Sequence, residues 1–434
     1  MLAFLEAIKM ILRRILLALF RPFWDAYATR MHELIAIRLK EHQTRIDESI
    51  DVRLKEYETR MDKSIDVKIS DVSDRIEINH IVSEKALTPR DPGHRWKRLQ
   101  IGITDLCNLL CAHCTRLPNS PLDGTLPLKK FMYYLSRFSP DWFEQLIISD
   151  WGEPTIVKSL LDYLYFAKLS GWNNVHFITN ATNPNEHLFE EIISQKLLAE
   201  LFMSVEAVSP ELYEFIRKTP FDKFRTFVKM VSFLRKRYNS PTTLIFNVVC
   251  MKANLHELPG IVHMAGEYGI HLVQMVHLHT TGWGNKEEGK LCVPEQHLDS
   301  MDRSQVLKTF EKVFSIAEHY KIIVNPPEFY PEISTRPSNI AYDDSKTYAD
   351  GEIVDKGDDY KCQYPLTWVQ VGFWGDIFPC CQMGKNWPMG NINKLDFASI
   401  WNNLRYKRLL DGLRPDGEPV EICARCNVLA GKRF

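Results

Sequence analysis

Three cysteines in one short segment are the residues of this 434-residue chain whose spacing points most directly to chemistry. Cys107, Cys111 and Cys114 follow a strand-like segment in the pattern Cys-x3-Cys-x2-Cys. Three thiolates from one loop can hold three corners of a 4Fe–4S cube, and the fourth iron is then open to a substrate or cofactor. The alternative is a zinc site with His113 as fourth ligand, although two adjacent residues reach one tetrahedral ion awkwardly.

A second group of cysteines follows near the carboxyl end of the chain. Its members are spaced as Cys362-x12-Gly375-x4-Cys380 and, after a gap, as Cys423-x2-Cys426. The segment VQVGFWGDIFPCC between them predicts a β-hairpin whose turn lies at residues 374–376. Two cysteines followed by Cys-x2-Cys are also compatible with a zinc ribbon, so spacing alone leaves the metal open.

The elements that must position the first cysteine loop alternate between strand-like and helix-like segments. Three further strand-like segments end in polar residues, namely Trp-Gly-Glu-Pro at 151–154, Thr179-Asn180 and Ser204-Val-Glu206. Segments 244–254 and 271–278 predict a fifth and a sixth strand. This alternation predicts a parallel β/α architecture with its site at the carboxyl ends of the strands. The helical stretches between the strands are 157–169, 185–199, 222–237 and 255–268.

These motifs, in this order, resemble the radical SAM superfamily over about residues 97–300. The resemblance implies a partial (β/α)6 barrel of the TIM type. It also implies S-adenosylmethionine on the open iron of a 4Fe–4S cluster, and its reductive cleavage to a 5′-deoxyadenosyl radical that abstracts hydrogen from substrate. The cluster ligands would be Cys107, Cys111 and Cys114. Contacts to S-adenosylmethionine are implied for Glu153 (amino group), Thr179, Asn180, Ser204 (ribose) and Arg217 (carboxylate).

The second cysteine group resembles the SPASM/Twitch extension of radical SAM enzymes, including Gly-Asn-Ile at 390–392 and Ile-Trp at 400–401. No cysteine follows Cys426, so the resemblance implies one auxiliary 4Fe–4S cluster rather than two. Cys381 is an alternative to Cys380, although the Gly-x4-Cys spacing favours Cys380. The implied ligands are Cys362, Cys380, Cys423 and Cys426.

The amino-terminal part of the chain has a different character. Residues 1–24 form a basic amphipathic pattern that predicts a helix at a membrane interface, or alternatively a helix packed on its own domain or in an oligomer. Residues 25–87 contain 15-residue repeats, of which 38–52 and 53–67 are identical at 11 of 15 positions. They predict an oligomeric coiled coil, or alternatively a single spacer helix. We expect the barrel at 97–335, an acidic connector at 336–360 and the cluster domain at 361–434.

Composition limits the class of protein and its surroundings. The chain is 45% hydrophobic and 25% charged, which excludes a disordered chain and a multi-span membrane protein. A net charge of −1 argues against a nucleic-acid binder. Ten cysteines are too few for a disulfide scaffold. Iron–sulfur clusters of the implied kind are oxygen-sensitive and indicate a reducing compartment. We therefore expect the protein in the cytoplasm, peripherally bound at the inner face of the cell membrane. Expected partners are a small-molecule or glycan substrate, a flavodoxin or ferredoxin as electron donor, and further copies of the chain.

Three functions remain open from the sequence. The first is a radical SAM oxidoreductase that dehydrogenates or epimerises a sugar, cyclitol or envelope-related substrate. Cys250 is the candidate hydrogen donor for epimerisation, and the alternative for this residue is a small buried hydrophobe. The second function is a peptide-modifying maturase. The third is a membrane-tethered scaffold without catalysis, against which the retained cysteines and Glu153 argue.

Overall fold

The computed structural model describes residues 89–114, 123–278, 290–327, 360–380, 387–424 and 426. All of them lie in the second of the two units into which the chain divides, Leu87–Phe434. The predicted interfacial helix, the predicted coiled coil and nearly all of the acidic connector lie outside these residues and stay predictions. None of the helices in the described ranges combines the length and hydropathy that crossing a bilayer requires.

Ten strands of the described ranges form one sheet. In spatial order they run β10-β9-β8-β1-β2-β3-β4-β5-β6-β7, and the eight strands from β8 to β7 are parallel. In chain order they are β1 (Trp96–Ile101), β2 (Phe143–Ile147), β3 (Val175–Thr179), β4 (Glu200–Ser204), β5 (Thr243–Cys250), β6 (Leu272–His277), β7 (Ile323–Asn325), β8 (Trp368–Val371), β9 (Asp376–Phe378) and β10 (Gly390–Asn391).

The parallel core confirms the β/α expectation, including the predicted fifth and sixth strands. A parallel strand must be reached by a crossover, and helices supply most of these crossovers. The helices are α1 (Leu128–Leu135), α2 (Leu160–Leu169), α3 (Glu186–Ser194), α4 (Pro210–Arg217), α5 (Phe221–Arg237), α6 (Leu258–Tyr268), α7 (Arg303–Tyr320), α8 (Tyr364–Thr367), α9 (Phe397–Trp401), α10 (Leu404–Leu413) and α11 (Glu421–Ala424).

The carboxyl-terminal segment extends the barrel sheet instead of packing as a detached module. β8 pairs in parallel with β1, and β9 returns antiparallel to β8. The turn between them contains Gly375 at φ +84°, where a Cβ would lie 2.4 Å from Nδ2 of Asn393. This backbone conformation favours glycine. The antiparallel pairing of β8 with β9 around this turn confirms the predicted hairpin.

The two faces of the sheet have different partners. The ring of Phe246 on β5 lies 5.6 Å from that of Phe224 on α5, so this face is covered by helices. Side chains alternate along a strand, and Val248 and Cys250 therefore share the covered face. Both are at most 1% exposed. Asn247 has the opposite orientation and faces the inner surface of the barrel, where it is half-buried.

Candidate active site

The cysteine loop begins after the carboxyl end of β1 and is fastened to two neighbouring segments. The backbone N–H of Ala112 donates to the carbonyl of Ile216 on α4 at 2.7 Å, and the Ala112 carbonyl accepts from the N–H of Leu291 at 2.8 Å. Cys111 is buried, whereas the other two cysteines of the loop are half-buried. The protein itself therefore holds the loop around Cys111 from two sides.

Gly152 packs against the start of this loop at a distance that only glycine permits. A Cβ at this position would lie 2.4 Å from the carbonyl oxygens of Thr104 and Leu106. The next N–H, that of Glu153, donates to the Leu106 carbonyl at 2.8 Å. Backbone contacts thus join the Trp-Gly-Glu-Pro segment after β2 to the segment that leads into Cys107.

Glu153 ties the loop after β2 to the end of β3. Its Oε1 accepts hydrogen bonds from the N–H and hydroxyl of Thr155 at 3.1 and 2.8 Å, and from the hydroxyl of Thr179 at 2.7 Å. Its Oε2 accepts from the N–H of Asn180 at 2.6 Å. Burial raises the pKa of this carboxyl, and the hydrogen bonds offset part of that rise. Sequence reasoning missed Thr155, for which the available signal was Glu-x-Thr at the start of a short helix.

We expect Glu153→Gln to weaken S-adenosylmethionine binding roughly tenfold, as about 1.4 kcal/mol of lost positioning implies. The carboxylate only accepts hydrogen bonds, whereas an amide nitrogen would face at least one of the donors at Thr155, Thr179 or Asn180. Equilibrium binding to the reconstituted enzyme measures the effect. Glu144→Gln, at an exposed position on β2, is the control. Equal affinities for the two variants would contradict the role of Glu153.

Asn180 connects the end of β3 to the cysteine loop. Its Nδ2 donates to Oδ1 of Asn108 at 2.7 Å and lies 3.9 Å from Sγ of Cys107. Its Oδ1 accepts from the N–H and hydroxyl of Thr182, at 3.1 and 2.7 Å, which fixes the orientation of the amide. An N–H directed at sulfur suits a thiolate ligand of an iron–sulfur cluster. Asn108, directly after Cys107, is a second residue that sequence reasoning missed.

Arg217, the last residue of α4, forms a buried ion pair with Glu206. Nη2 donates to Oε1 at 3.0 Å, and Nε donates to Oε2 in the second arm of the fork. Burial opposes the charge on Arg217, but the carboxylate of Glu206, together with Cys111 and Tyr213, outweighs this effect and raises the pKa of the guanidinium. Nε2 of His113 lies 3.6 Å from Oε1 of Glu206. Burial, and to a lesser extent the positive charges of Arg217 and Lys290, lowers the pKa of His113 to about 3.

Of the remaining predicted residues, Thr179 and Ser204 lie at the site, whereas Cys250 lies in the hydrophobic core. Thr179 is 1% exposed and its hydroxyl is used by Glu153, whereas Ser204 is half-buried at the end of β4 on the inner face. Cys250 lies in the hydrophobic core on the helix-covered face, and burial raises the pKa of its thiol. The structure therefore favours the buried-hydrophobe alternative for Cys250 over a thiol directed at substrate.

Two of the auxiliary cysteines, Cys362 and Cys380, lie at the end of the parallel strands opposite to that of the first cysteine loop. Cys362 precedes β8, separated from it by α8. Cys380 comes two residues after Phe378, which pairs with Gln370 on β8. Because β8 runs parallel to β1 and β9 returns, both thiols lie beside the amino-terminal end of β8. The first cysteine loop instead follows the carboxyl-terminal end of β1.

Three of these thiols are near one another. Burial, then the proximity of Cys362 and Cys426, raises the pKa of Cys423 to about 12. Adjacent thiols suppress each other's ionisation, and a bound cation reverses this effect, so the group suits a metal cluster. Within the described ranges, no three Cys, His, Asp or Glu side chains surround a single metal-ion position. Cys381 lies outside those ranges, so the choice of Cys380 over Cys381 stays a prediction.

Family models match two parts of the chain. Residues 101–265 match the radical SAM superfamily, and residues 362–427 match SPASM, an iron–sulfur cluster-binding domain. A probable GTP 3′,8-cyclase of Methanocaldococcus jannaschii is 24% identical over 182 residues, which are 41% of this chain. The match spans 57% of that relative's length.

Solved structures share the fold. SuiB of Streptococcus suis bound to S-adenosylmethionine has a TM-score of 0.55 and 18% identity, over 77% of this chain and 71% of SuiB. SuiB has also been solved with the precursor peptide SuiA. The enzyme anSMEcpe with bound AdoMet has a TM-score of 0.51 and 13% identity, over 76% of this chain and 83% of its own.

The domains imply S-adenosylmethionine, a 4Fe–4S cluster and auxiliary iron–sulfur binding, and the donors described above fit these groups. Several of these groups lie together beyond the carboxyl ends of β1 to β3. They are the half-buried thiols of the first loop, the Asn180 amide near Cys107 and the close contact of Gly152 with that loop. For the first loop, the family matches and this arrangement favour the iron–sulfur cluster over the zinc site. The chain therefore belongs to the radical SAM superfamily, as a radical SAM domain followed by a carboxyl-terminal SPASM iron–sulfur domain.

Proposed function

We propose that this radical SAM enzyme dehydrogenates an uncharged, hydroxyl-bearing small molecule of the sugar or cyclitol class. The observation that carries the proposal is a row of neutral polar side chains across the inner face of the barrel. The strand register pairs Ser204 with Asn247, Asn247 with Gln274, and Gln274 with Asn325. Paired residues of a parallel sheet point to the same face, and all four are half-buried.

The chemistry of this row favours a neutral ligand. Amides both donate and accept hydrogen bonds, as hydroxyl groups do. Nδ2 of Asn325 donates to Oε1 of Gln274 at 3.0 Å, which orients one pair of amides. The next inner-face row towards the amino ends of these strands is apolar, with Phe202, Ile245 and Leu272. In the described strands the polar row contains no charged side chain, so a phosphate or carboxylate would lack a counterion there.

The row also lies beside the proposed position of the radical. Ser204 is the residue assigned to the ribose of S-adenosylmethionine, whose 5′ carbon carries the radical after cleavage. Neighbouring strands are about 4.8 Å apart, so Asn247 and Gln274 fall within about 10 Å of Ser204 along the row. A substrate hydrogen-bonded to these amides would have its carbon atoms next to the ribose.

Dehydrogenation fits the arrangement better than epimerisation. When bound, the cofactors supply the 5′-deoxyadenosyl radical and an acceptor for one electron. Loss of a hydrogen atom from the carbinol carbon, a proton from its hydroxyl and one electron to the auxiliary cluster converts an alcohol to a carbonyl. Epimerisation instead needs a hydrogen donor, and Cys250 lies on the helix-covered face of β5.

A peptide-modifying maturase is the second candidate. The observation that favours it is the fold similarity to SuiB, solved with its precursor peptide, and to anSMEcpe, also solved with peptides. Peptide amides would find the same hydrogen-bonding groups in the row as hydroxyls do. The predicted interfacial helix at 1–24 and coiled coil instead suit an oligomer at a membrane, acting on an envelope-related glycan with electrons from a flavodoxin or ferredoxin.

Deuterium transfer distinguishes the two candidates. The reconstituted, dithionite-reduced enzyme would be incubated with S-adenosylmethionine and C-deuterated glucose, N-acetylglucosamine or myo-inositol, and in parallel with C-deuterated serine and cysteine peptides. We expect deuterium in 5′-deoxyadenosine from a polyol, and at least tenfold less after Gln274→Leu. Gln305→Leu, at an exposed position on α7, is the control. Deuterium from a peptide and from no polyol would refute the proposal and support the maturase.

The auxiliary cysteines supply a second test. With a polyol that transfers deuterium, Cys423→Ala should still form 5′-deoxyadenosine while the yield of carbonyl product falls at least tenfold, because the electron acceptor is lost. Equal carbonyl yields would contradict the electron-acceptor role.

A further inference from the structure

The guanidinium of Arg217 is occupied by the protein at all three nitrogens. Two of them donate to the carboxylate of Glu206, and Nη1 lies 3.8 Å from Sγ of Cys111. The pair is buried, with Glu206 0% and Arg217 5% exposed. Sequence resemblance assigns Arg217 to the carboxylate of S-adenosylmethionine, yet the described contacts direct it to Glu206 and to a cluster cysteine.

Further contacts link both residues of this pair to neighbouring segments. Nδ2 of Asn254 donates to the carbonyl of Glu206 at 2.9 Å. At the other end of the network, the carbonyl of Ile216 accepts from the N–H of Ala112, next to Cys111. The carbonyl of Arg217 itself lies 3.8 Å from Sγ of Cys111. The carboxyl end of α4 therefore contacts this one cysteine through both backbone and side chain.

We propose that Arg217 is a positioning residue for the cluster, whose Nη1 donates a hydrogen bond to the Cys111 thiolate, while Glu206 holds the guanidinium and offsets its charge. Hydrogen bonds to ligating sulfur and nearby positive charge stabilise the more negative, reduced cluster and raise its reduction potential. The carboxylate of Glu206 acts in the opposite sense. The pair thus sets the potential from which an electron reaches S-adenosylmethionine.

Two substitutions should shift the potential in opposite directions. In Arg217→Lys an ammonium remains for Glu206, but a point charge cannot hold a carboxylate by two parallel bonds and reach Cys111 with a third nitrogen. Its cluster potential should therefore become more negative. In Glu206→Gln the guanidinium keeps its hydrogen bond to sulfur and loses its countercharge, so the potential should become less negative. A purely structural role would not produce shifts of opposite sign.

The test is a redox titration of the reconstituted full-length enzyme, followed by electron paramagnetic resonance. The signal that changes shape when S-adenosylmethionine is added identifies the cluster of the Cys107 loop, separately from the auxiliary cluster. Opposite shifts in the two variants, with S-adenosylmethionine affinity within about twofold of wild type, would support the proposal. An unchanged potential in Arg217→Lys would overturn it, and a tenfold loss of affinity in that case would assign Arg217 to the cofactor carboxylate.

The readout requires no substrate and is independent of the proposed dehydrogenation. Arg225→Lys provides the matched control, because Arg225 lies on the adjacent helix α5 in an exposed pair with Asp222 at 3.3 Å. Its potential should equal that of wild type. Thermal unfolding of each variant, measured in the same samples, confirms that the compared proteins are folded.

Discussion

Replacing Cys107 by alanine is expected to abolish the reductive cleavage of S-adenosylmethionine. The loop supplies only three thiolates to its cluster, so two remaining ligands cannot keep a cuboidal cluster with one open iron. The Asn180 amide near Cys107 Sγ would also lose one of its two acceptors and keep only Oδ1 of Asn108. We expect 5′-deoxyadenosine formation to fall to the level of the enzyme-free reaction. Liquid chromatography of the dithionite-reduced mixture measures this product.

Cys292→Ala is the matched control for the Cys107 variant. Cys292 is buried, with 3% of its surface exposed, and belongs to neither cysteine group. The control should retain cleavage and the resonance signal that responds to S-adenosylmethionine, and Cys107→Ala should lose both. Unchanged cleavage in Cys107→Ala would show that this loop does not hold the radical-generating cluster.

The second large effect is expected on stability, from the buried pair of Arg217 and Glu206. Arg217→Met removes one partner and leaves a buried carboxylate without a countercharge. Breaking a buried pair in this way costs about 3–5 kcal/mol of unfolding free energy. Breaking an exposed pair costs about 0–1 kcal/mol, so Arg225→Met should be nearly neutral. Urea denaturation under anaerobic conditions measures both variants.

The double variant Arg217→Met/Glu206→Gln separates the charge from the packing. An uncharged glutamine needs no countercharge, so the double variant should recover most of the stability that Arg217→Met loses. If the double variant instead lost as much stability as Arg217→Met and Glu206→Gln lose together, the two residues would not act as a pair. If Arg217→Met were no less stable than Arg225→Met, the ion pair would not contribute as the buried geometry requires.

Much of the site follows from residue types and local spacing. A cuboidal cluster needs several thiolates within reach of one another, and the Cys-x3-Cys-x2-Cys and Cys-x2-Cys spacings satisfy this need within single loops. Parallel strands separated by helices must present their carboxyl ends on one edge, so the order of Cys107, Glu153, Thr179 and Ser204 already predicted a common site. The gathering of these residues depends on periodicity and connectivity, which a linear sequence displays.

The sequence did not predict which atoms each of these side chains contacts. Glu153 was assigned to a cofactor amino group, but four donors of the protein use its carboxylate, because the loop after β2 folds back on the end of β3. Arg217 is directed to Glu206 because the end of β4 and the end of α4 meet across a chain separation of 11 residues. Single-sequence patterns do not encode such pairings.

The sequence by itself determined the superfamily, the parallel β/α core and the two cysteine groups. Tertiary structure alone decided that Cys380 lies beside the amino-terminal end of β8, whereas the first cysteine loop follows the carboxyl-terminal end of the adjacent strand β1, since this depends on β8 pairing with β1. That contact includes a hydrogen bond of 3.0 Å from Nε1 of Trp368 to Oε1 of Gln100, 268 residues apart. It also decided that Cys250 faces the helices, because a one-residue change in strand alternation reverses the face on which a side chain lies.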